Sequence, residues 1–454
     1  MITAMKTRKV RRALILTLGC VALSTSACGG AWSSRTTDSR AAAVGPPAIP
    51  AAAPLEANDH AHEAAIRFLE DRVKRDPDDF GAYNRLAGYY HHRLRETGDL
   101  SYLDLAARAA RASLASMPEV RNAGGLAALA QSEFAAHDFA AARDHAMQLT
   151  ALDPGKSYPY GMLGDALLEL GEYEKAADAY RQMERRNGGI SESTEARQAR
   201  LAQLRGDNAG AKRHFTNALV LALDLPPPPR ETVAWCRWQL GETAFAIGDY
   251  ETAERHYRDA LVTFPDYYRA LASIGRVRAA RGDLAGAIEH YEHAIRRLPD
   301  PAFVAALGDL YQLAGRAKDA AAQYALVEQI GRLSAVNGAL YNRQLALFWA
   351  DHEMKVEEAY ASAAKEYEVR RDIYGADALA WTALKAGKLS EAQAAIKEAL
   401  RLGTQDARLF YHAGMIARAA GDRAVAREHL KRALALNPQF DPLQSIIARK
   451  TLEN

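Results

Sequence analysis

Cysteine is nearly missing from this chain: among 454 residues there are only Cys20, Cys28 and Cys236. The first two fall in an N-terminal stretch that reads as a leader, so the folded part has one thiol and no internal disulfide can staple it. Cys236 is expected to be a small buried apolar residue. Excess charge is missing too. A formal net charge of +2 gives no overall field for a nucleic acid or an anionic lipid surface, and no nucleic-acid partner is expected. The apolar run at 13–22 is too short to span a bilayer comfortably. HExxH, GxSxG, a GxGxxG after a strand and CxxC pairs are absent, and no two carboxylates stand out as an acid and its base. The expectation is a non-enzymatic chain with no catalytic residue, no metal site and no cofactor.

Several strings imitate functional motifs. Gly155-Lys156-Ser157 resembles the end of a phosphate loop, but Thr150 stands where the first glycine must be. Arg205-Gly206-Asp207 and Arg281-Gly282-Asp283 read better as tight turns, with glycine ending one helix and aspartate starting the next. His290 and His293 are three apart on one helix without a nearby third ligand, which favours a solvated face over zinc. His60 and His62 lie where spacing carries no geometric meaning, and His91 and His92 read as surface residues.

What the chain does have is a recurring glycine pair seven residues apart: Gly164/Gly171, Gly241/Gly248, Gly275/Gly282, Gly308/Gly315 and Gly414/Gly421. Three successive second glycines, from Gly248 to Gly315, are spaced by 34 and then 33 residues, the period of a helix–turn–helix solenoid unit. Ordinary hydrophobic (49%) and charged (25%) contents fit such an array, in which each unit buries its apolar face against its neighbours. With the first glycine as position 8, position 20 is Ala142, Ala176, Ala211, Ala253, Ala287, Ala320, Ala392 and Ala426. Alanine is needed where two helices cross closely. Position 24 is mostly a large wedge, including Tyr180, Tyr257, Tyr291 and Tyr324, and position 32 is often a helix-ending proline, as at Pro265 and Pro299.

Leu240-Gly241, Gly248-Asp249-Tyr250, Ala253, Tyr257, Ala260 and Pro265 together resemble the tetratricopeptide repeat family. The resemblance covers the chain from about Leu55 to Asn454, some ten units. It implies an all-α fold: an α-solenoid of paired antiparallel helices forming a right-handed superhelix, its concave groove lined mainly by first helices. First-helix positions 2, 5, 9 and 12 share a face, and in the family that face meets the partner. Carried onto this chain they give Trp235, Trp238, Glu242 and Phe245, then Arg269 and Arg276, then Asp309 and Gln312. Asn337, Leu340 and Gln344 follow, with Tyr341 adjacent, and then Trp381, Tyr411 and Met415. Trp235 or Trp238 has the alternative of packing against the preceding helix pair. Arg269 and Arg276 beside aromatics suit a peptide with acidic or C-terminal carboxylate groups. The family's Lys/Asn carboxylate clamp is not reproduced.

Lys6, Arg8, Lys9, Arg11 and Arg12, the apolar run and a small-residue exit together describe an export signal. The stretch from Leu23 to Gly29 resembles the lipobox of bacterial lipoproteins, with Cys28 the residue to be acylated, although Thr25 stands where that family prefers leucine. Cleavage near Ala27 to a soluble product is the alternative. The expected organisation is a signal peptide over 1–27, a flexible Ala/Ser/Thr/Pro-rich tether over 28–55 and an N-terminal array over 56–225. A proline joint at 226–230, a C-terminal array over 231–440 and a capping helix over 441–454 complete it. Register slips near Thr97–Gly98 and Lys355. The function expected is an envelope scaffold that holds a protein or peptide in its groove and is tied to a membrane by an N-terminal lipid; the alternative is an exported glycan binder using the aromatic groove.

Overall fold

A computed structural model describes residues 48–56, 59–336 and 342–453; Cys28, Asn337, Leu340 and Tyr341 lie outside them. The described residues form 22 α-helices and no strand. A lone helix, α1 (Asp59–Arg75), precedes ten antiparallel pairs. The first five pairs are α2 (Phe80–Thr97) with α3 (Ser101–Ser116), α4 (Ala123–Ala135) with α5 (Phe139–Leu152), α6 (Tyr158–Glu169) with α7 (Tyr173–Asn187), α8 (Glu192–Leu204) with α9 (Asn208–Leu223), and α10 (Arg230–Ala246) with α11 (Tyr250–Thr263). The next five are α12 (Tyr268–Ala280) with α13 (Leu284–Arg297), α14 (Pro301–Leu313) with α15 (Ala317–Val336), α16 (Arg343–Asp351) with α17 (Val356–Val369), α18 (Ile373–Lys385) with α19 (Leu389–Ala399), and α20 (Ala407–Ala419) with α21 (Arg423–Leu436). α22 (Gln444–Glu453) covers the last pair, as expected of a cap.

The two glycines of each unit do different jobs. The first lets the second helix press its wedge against the first: a Cβ on Gly241 would lie 2.3 Å from the Tyr257 ring, and one on Gly164 the same distance from Tyr180. The second takes the left-handed conformation that ends the first helix, with φ of +75° at Gly248 and +82° at Gly282. An aspartate then caps the next helix. Asp207, Asp249, Asp283 and Asp422 each accept a hydrogen bond from a first-turn backbone N–H, a contact worth about 1 kcal/mol. Both Arg-Gly-Asp strings are therefore turn machinery. The position-20 alanines are buried, several without any exposure.

Three expectations change. The proline loop does not interrupt packing: one apolar cluster runs from Phe215 and Leu219 across it to Val233, Trp235 and Leu240. The end of the 28–55 tether is bound rather than solvated. Ile49 and Leu55 rest on that same cluster, and Arg237 Nη2 donates to the carbonyls of Pro50 (3.2 Å) and Ala51 (3.1 Å). His91 is a core residue, 3% exposed, beside the Ala128 carbonyl and the Ser132 hydroxyl.

The array also meets itself. Turns within the third, fourth and fifth pairs dock on the loops that precede α18, α20 and α22. Tyr173 Oη accepts from Ile373 N at 2.8 Å, Thr404 Oγ1 donates to the Leu204 carbonyl, and Asn437 Nδ2 donates to the Phe245 carbonyl at 2.7 Å. Along this seam Arg343, Arg370, Asp372, Glu366 and Glu169 form a buried charge network. Arg343 grips both oxygens of Asp372 (3.0 and 2.7 Å) and lies 2.7 Å from Glu366, while Arg370 pairs with Glu169 and Glu366. Burial would raise the Asp372 carboxyl, but Arg343 and Arg370 hold it below its usual value.

Candidate partner-binding face and interior cavity

A motif not legible from the repeat consensus organises the first-helix faces. The residue after the first glycine is acidic in three units, and the wedge tyrosine fifteen positions on donates its hydroxyl to it. The pairs are Tyr180–Asp165 (2.9 Å), Tyr257–Glu242 (2.7 Å) and Tyr324–Asp309 (2.8 Å). A basic side chain from the following unit closes each set. Arg197 is bidentate on Asp165, Arg276 Nη2 is 2.5 Å from Glu242, and His352 Nε2 is 2.8 Å from Asp309. Burial first, and then Glu242, push the Tyr257 hydroxyl well above its ordinary value, so it remains a donor at any physiological pH.

This rewrites part of the expected site. Glu242 and Arg276 are brought together, but they strut one unit to the next: Glu242 also accepts from Ser273 Oγ (3.0 Å), and the Arg276 guanidinium lies 4.0 Å above the Phe245 ring. Four aromatics expected on the groove are core residues. Trp235 packs edge-on against Phe215 at 5.7 Å, and Phe245 is 5% exposed. Trp381 stacks on His412 at 4.2 Å while donating to Asp351 (2.8 Å), and Tyr411 packs on Phe440. An ideal-helix wheel puts them on the inner face; the tight curl of the array covers that face with the neighbouring pair, or with α22 beside Tyr411.

Trp238 and Arg269 are neither core nor fully exposed. Trp238 is half-buried, its Nε1 donating to Ser273 Oγ at 2.9 Å, and the Arg269 guanidinium lies between the rings of Trp238 (5.3 Å) and Tyr268 (5.2 Å). No carboxylate among the described residues is within ion-pair distance of Arg269; Asp300 and Glu231 act on it from further away. Gln312 is exposed on α14, where its Oε1 accepts from Tyr324 Oη at 2.9 Å.

Inside the curl lies a cavity of about 340 Å³, lined by both sides of the seam, including Asp309, Arg343, Gln344, Asp351, His352 and Arg408. That volume is at the small end of ligand pockets, which run from about 300 to 1,000 Å³. Gln344 Oε1 is closed off from solvent there and has no hydrogen-bond partner among the described residues. Asp309 bonding raises the His352 imidazole against its burial, and burial raises Asp309 in turn. Tyr291 joins the regions: burial pushes its hydroxyl up to about 12 against Arg276, with help from the cavity carboxylates Asp441 and Asp309 and from Glu242. His290 and His293 are accounted for, by the Gly286 carbonyl (2.8 Å) and Asp266 (3.2 Å).

No helix among the described residues is long and apolar enough to cross a membrane. A curated relative, the probable biofilm formation methyltransferase WspC of Pseudomonas putida, is 36% identical over 89 residues, and the match spans 20% of each chain. Solved structures with similar folds include PilW, a widely conserved type IV pilus biogenesis factor (17% identity, 46% of this chain and 92% of that one, TM-score 0.39). Human IFIT1, solved as a dimer with PPP-AAAA, is another (13% identity, 84% and 96%, TM-score 0.42). At such scores these likenesses carry no functional argument. The family model described as tetratricopeptide repeat matches residues 127–189, 239–302 and 378–439. Of the intervening pairs, α14 with α15 keeps the glycine, alanine and tyrosine positions at Gly308, Gly315, Ala320 and Tyr324, so the chain carries tetratricopeptide repeats, whose fold generally serves as a scaffold for protein or peptide partners.

Proposed function

We propose that the chain is a non-enzymatic scaffold of the bacterial cell envelope and that it holds the acidic or carboxylate-terminated segment of a partner protein against α10 and α12. The observation that carries this reading is Arg269, a guanidinium set between Trp238 and Tyr268 with no carboxylate in ion-pair reach among the described residues. A planar cation already ordered by two rings offers a bidentate site to a carboxylate at little further cost in entropy. Trp238 supplies the apolar contact beside it. The glycan alternative loses its main support, because its paired tryptophans are not both open: Trp235 is 8% exposed and belongs to the core.

The envelope location rests on the basic, apolar and small-residue order of the first 28 residues, with Cys28 as the lipid acceptor. A benzoylphenylalanine at Trp238 is expected to crosslink a partner in cells, with at least tenfold less product in an Arg269→Gln background, about the weight of one charge-assisted hydrogen bond. Equal capture from the half-exposed His293 position on α13 would sink the assignment of this face. Separately, Cys28→Ser should move the protein from membranes to the soluble fraction; if it stays with membranes, the lipid part is wrong.

A further inference from the structure

His62 on α1 and His92 and Glu96 on α2 come together although no spacing in the sequence suggests it. One donor atom from each lies within 4.8 Å of the others, and the two imidazole rings meet edge-on with centroids 4.4 Å apart. His92 and Glu96 are one helical turn apart on the same face, with His92 Nε2 3.5 Å from Glu96 Oε1. Tetrahedral zinc with bonds of about 2.1 Å needs donor atoms about 3.4 Å apart, so this pair is already placed and His62 has at most about 1.4 Å to travel.

An ion-pair network surrounds the cluster, and it does not explain the histidines. Glu96 accepts from Arg230 through Oε1 (3.0 Å) and from Arg93 through Oε2 (3.1 Å); Arg93 and Arg230 also reach Asp59, and Arg95 faces Glu231. Arg93, Arg95 and Arg230 thus balance Asp59, Glu96 and Glu231. His92 is held in part, with Nδ1 3.4 Å from Arg95 Nη2 and Nε2 3.5 Å from Glu96, whereas His62 Nδ1 is closed off from solvent and has no hydrogen-bond partner among the described residues. A buried nitrogen without a partner is costly, and one beside a second imidazole and a carboxylate calls for something between them. Each carboxylate oxygen has two lone pairs, so Glu96 Oε1 can keep Arg230 and still ligate. Arg93 and Arg230 then orient the ligating carboxylate as outer-shell partners do.

We propose that His62, His92 and Glu96 form a zinc-class metal site that fastens α1 to α2 where the chain enters the array. Two imidazoles and one carboxylate suit a borderline ion such as Zn²⁺ and exclude the all-oxygen preference of Mg²⁺ and Ca²⁺. The three ligands leave a fourth position for water. No reaction is assigned to it.

The test uses the full chain without a histidine tag, stripped with EDTA and titrated with Zn²⁺, with Mg²⁺, and with Co²⁺ as a visible-absorption probe. One Zn²⁺ per chain, a Co²⁺ spectrum of tetrahedral type and a melting temperature raised by Zn²⁺ but not Mg²⁺ are expected. His62→Ala and His92→Gln should each weaken Zn²⁺ binding at least tenfold, whereas a His290→Ala/His293→Ala double variant keeps it. Absence of stoichiometric Zn²⁺ uptake by the unmodified chain overturns the proposal, whether or not the variants fold. So does uptake that survives both cluster substitutions.

Discussion

The chain packs in two ways, and the contrast lies between the regular pairs from α10 to α15 and the seam where the array meets itself. In the regular pairs one contact set recurs: glycine under tyrosine, a buried alanine, an acid held by that tyrosine, as at Glu242 and Asp309. Partners are about fifteen or about thirty-four residues apart. Across the seam they are about 200 apart and no contact repeats along the chain, as with Arg370 on Glu169 or Asn437 on Phe245, and Arg370 is tied in turn to Arg343 through Glu366 and Asp372. The period therefore specifies a hairpin and its neighbour, while the curl as a whole depends on a few charges that can be buried only together.

The largest effect should come from removing one of those charges. Arg343→Met fills a similar volume but leaves Asp372 and Glu366 buried with Arg370, itself shared with Glu169, as their remaining cation. A loss of about 3–5 kcal/mol is expected on denaturant unfolding. Arg276→Met in a regular pair should lose only about 1–2 kcal/mol, because Glu242 keeps Tyr257 and Ser273 as donors. Equal losses would erase the distinction between seam and repeat.

That distinction also marks how far the sequence could be read. Helix pairs, turns, caps and the covering α22 are legible because each rests on a short-range rule repeated many times. The burial of Trp381 and Tyr411 is not, since what covers them is a neighbouring pair or α22, and no spacing records that. The acid–tyrosine distance of fifteen was available at Asp165/Tyr180, Glu242/Tyr257 and Asp309/Tyr324, but it shows only once the tyrosine is read as a donor rather than a wedge. Bound residues 49–55 escaped because Ile49 and Leu55 have no period; their partners belong to the pairs flanking the proline loop.

Two glycines with the same backbone conformation make a finer comparison. Gly171 and Gly282 both have φ of +82°, yet a Cβ on Gly171 would lie 2.3 Å from the Arg371 carbonyl, whereas one on Gly282 meets nothing within 4 Å. Gly282→Ala should cost only the left-handed strain, about 1 kcal/mol. Gly171→Ala must also push the seam apart and should cost about 2–3 kcal/mol. Hydrogen exchange would localise the difference, with amides at Ile373 and Gly375 losing protection in the Gly171 variant alone. If both variants lose the same stability, the turn of the third pair does not bear on the loop before α18.

Protons are expected to act in opposite directions in the two regions. At the seam, His137 stacks on Phe139 at 5.5 Å; burial first, and then Arg370, lower it to about 4. In the regular part, Asp300 caps α14 through Ala302 N (2.8 Å), and burial pushes it up to about 6 despite Arg269. The unfolded chain binds the proton at His137 more tightly, so that contribution is complete above pH 6.5 and is lost as the pH falls towards 4. At Asp300 the folded chain binds it more tightly, so stability is complete below pH 3.8 and declines as the pH rises through 6. Each contributes at most about 3 kcal/mol across its whole window. Asp300→Asn keeps the cap and should raise the melting temperature at pH 7 while leaving it unchanged near pH 3.5. His137→Asn, which tolerates the left-handed backbone at that turn (φ +64°), should flatten the acid side instead. A melting profile that either variant shifts uniformly from pH 4 to 7 would mean that the lost contacts, not the protons, set the effect.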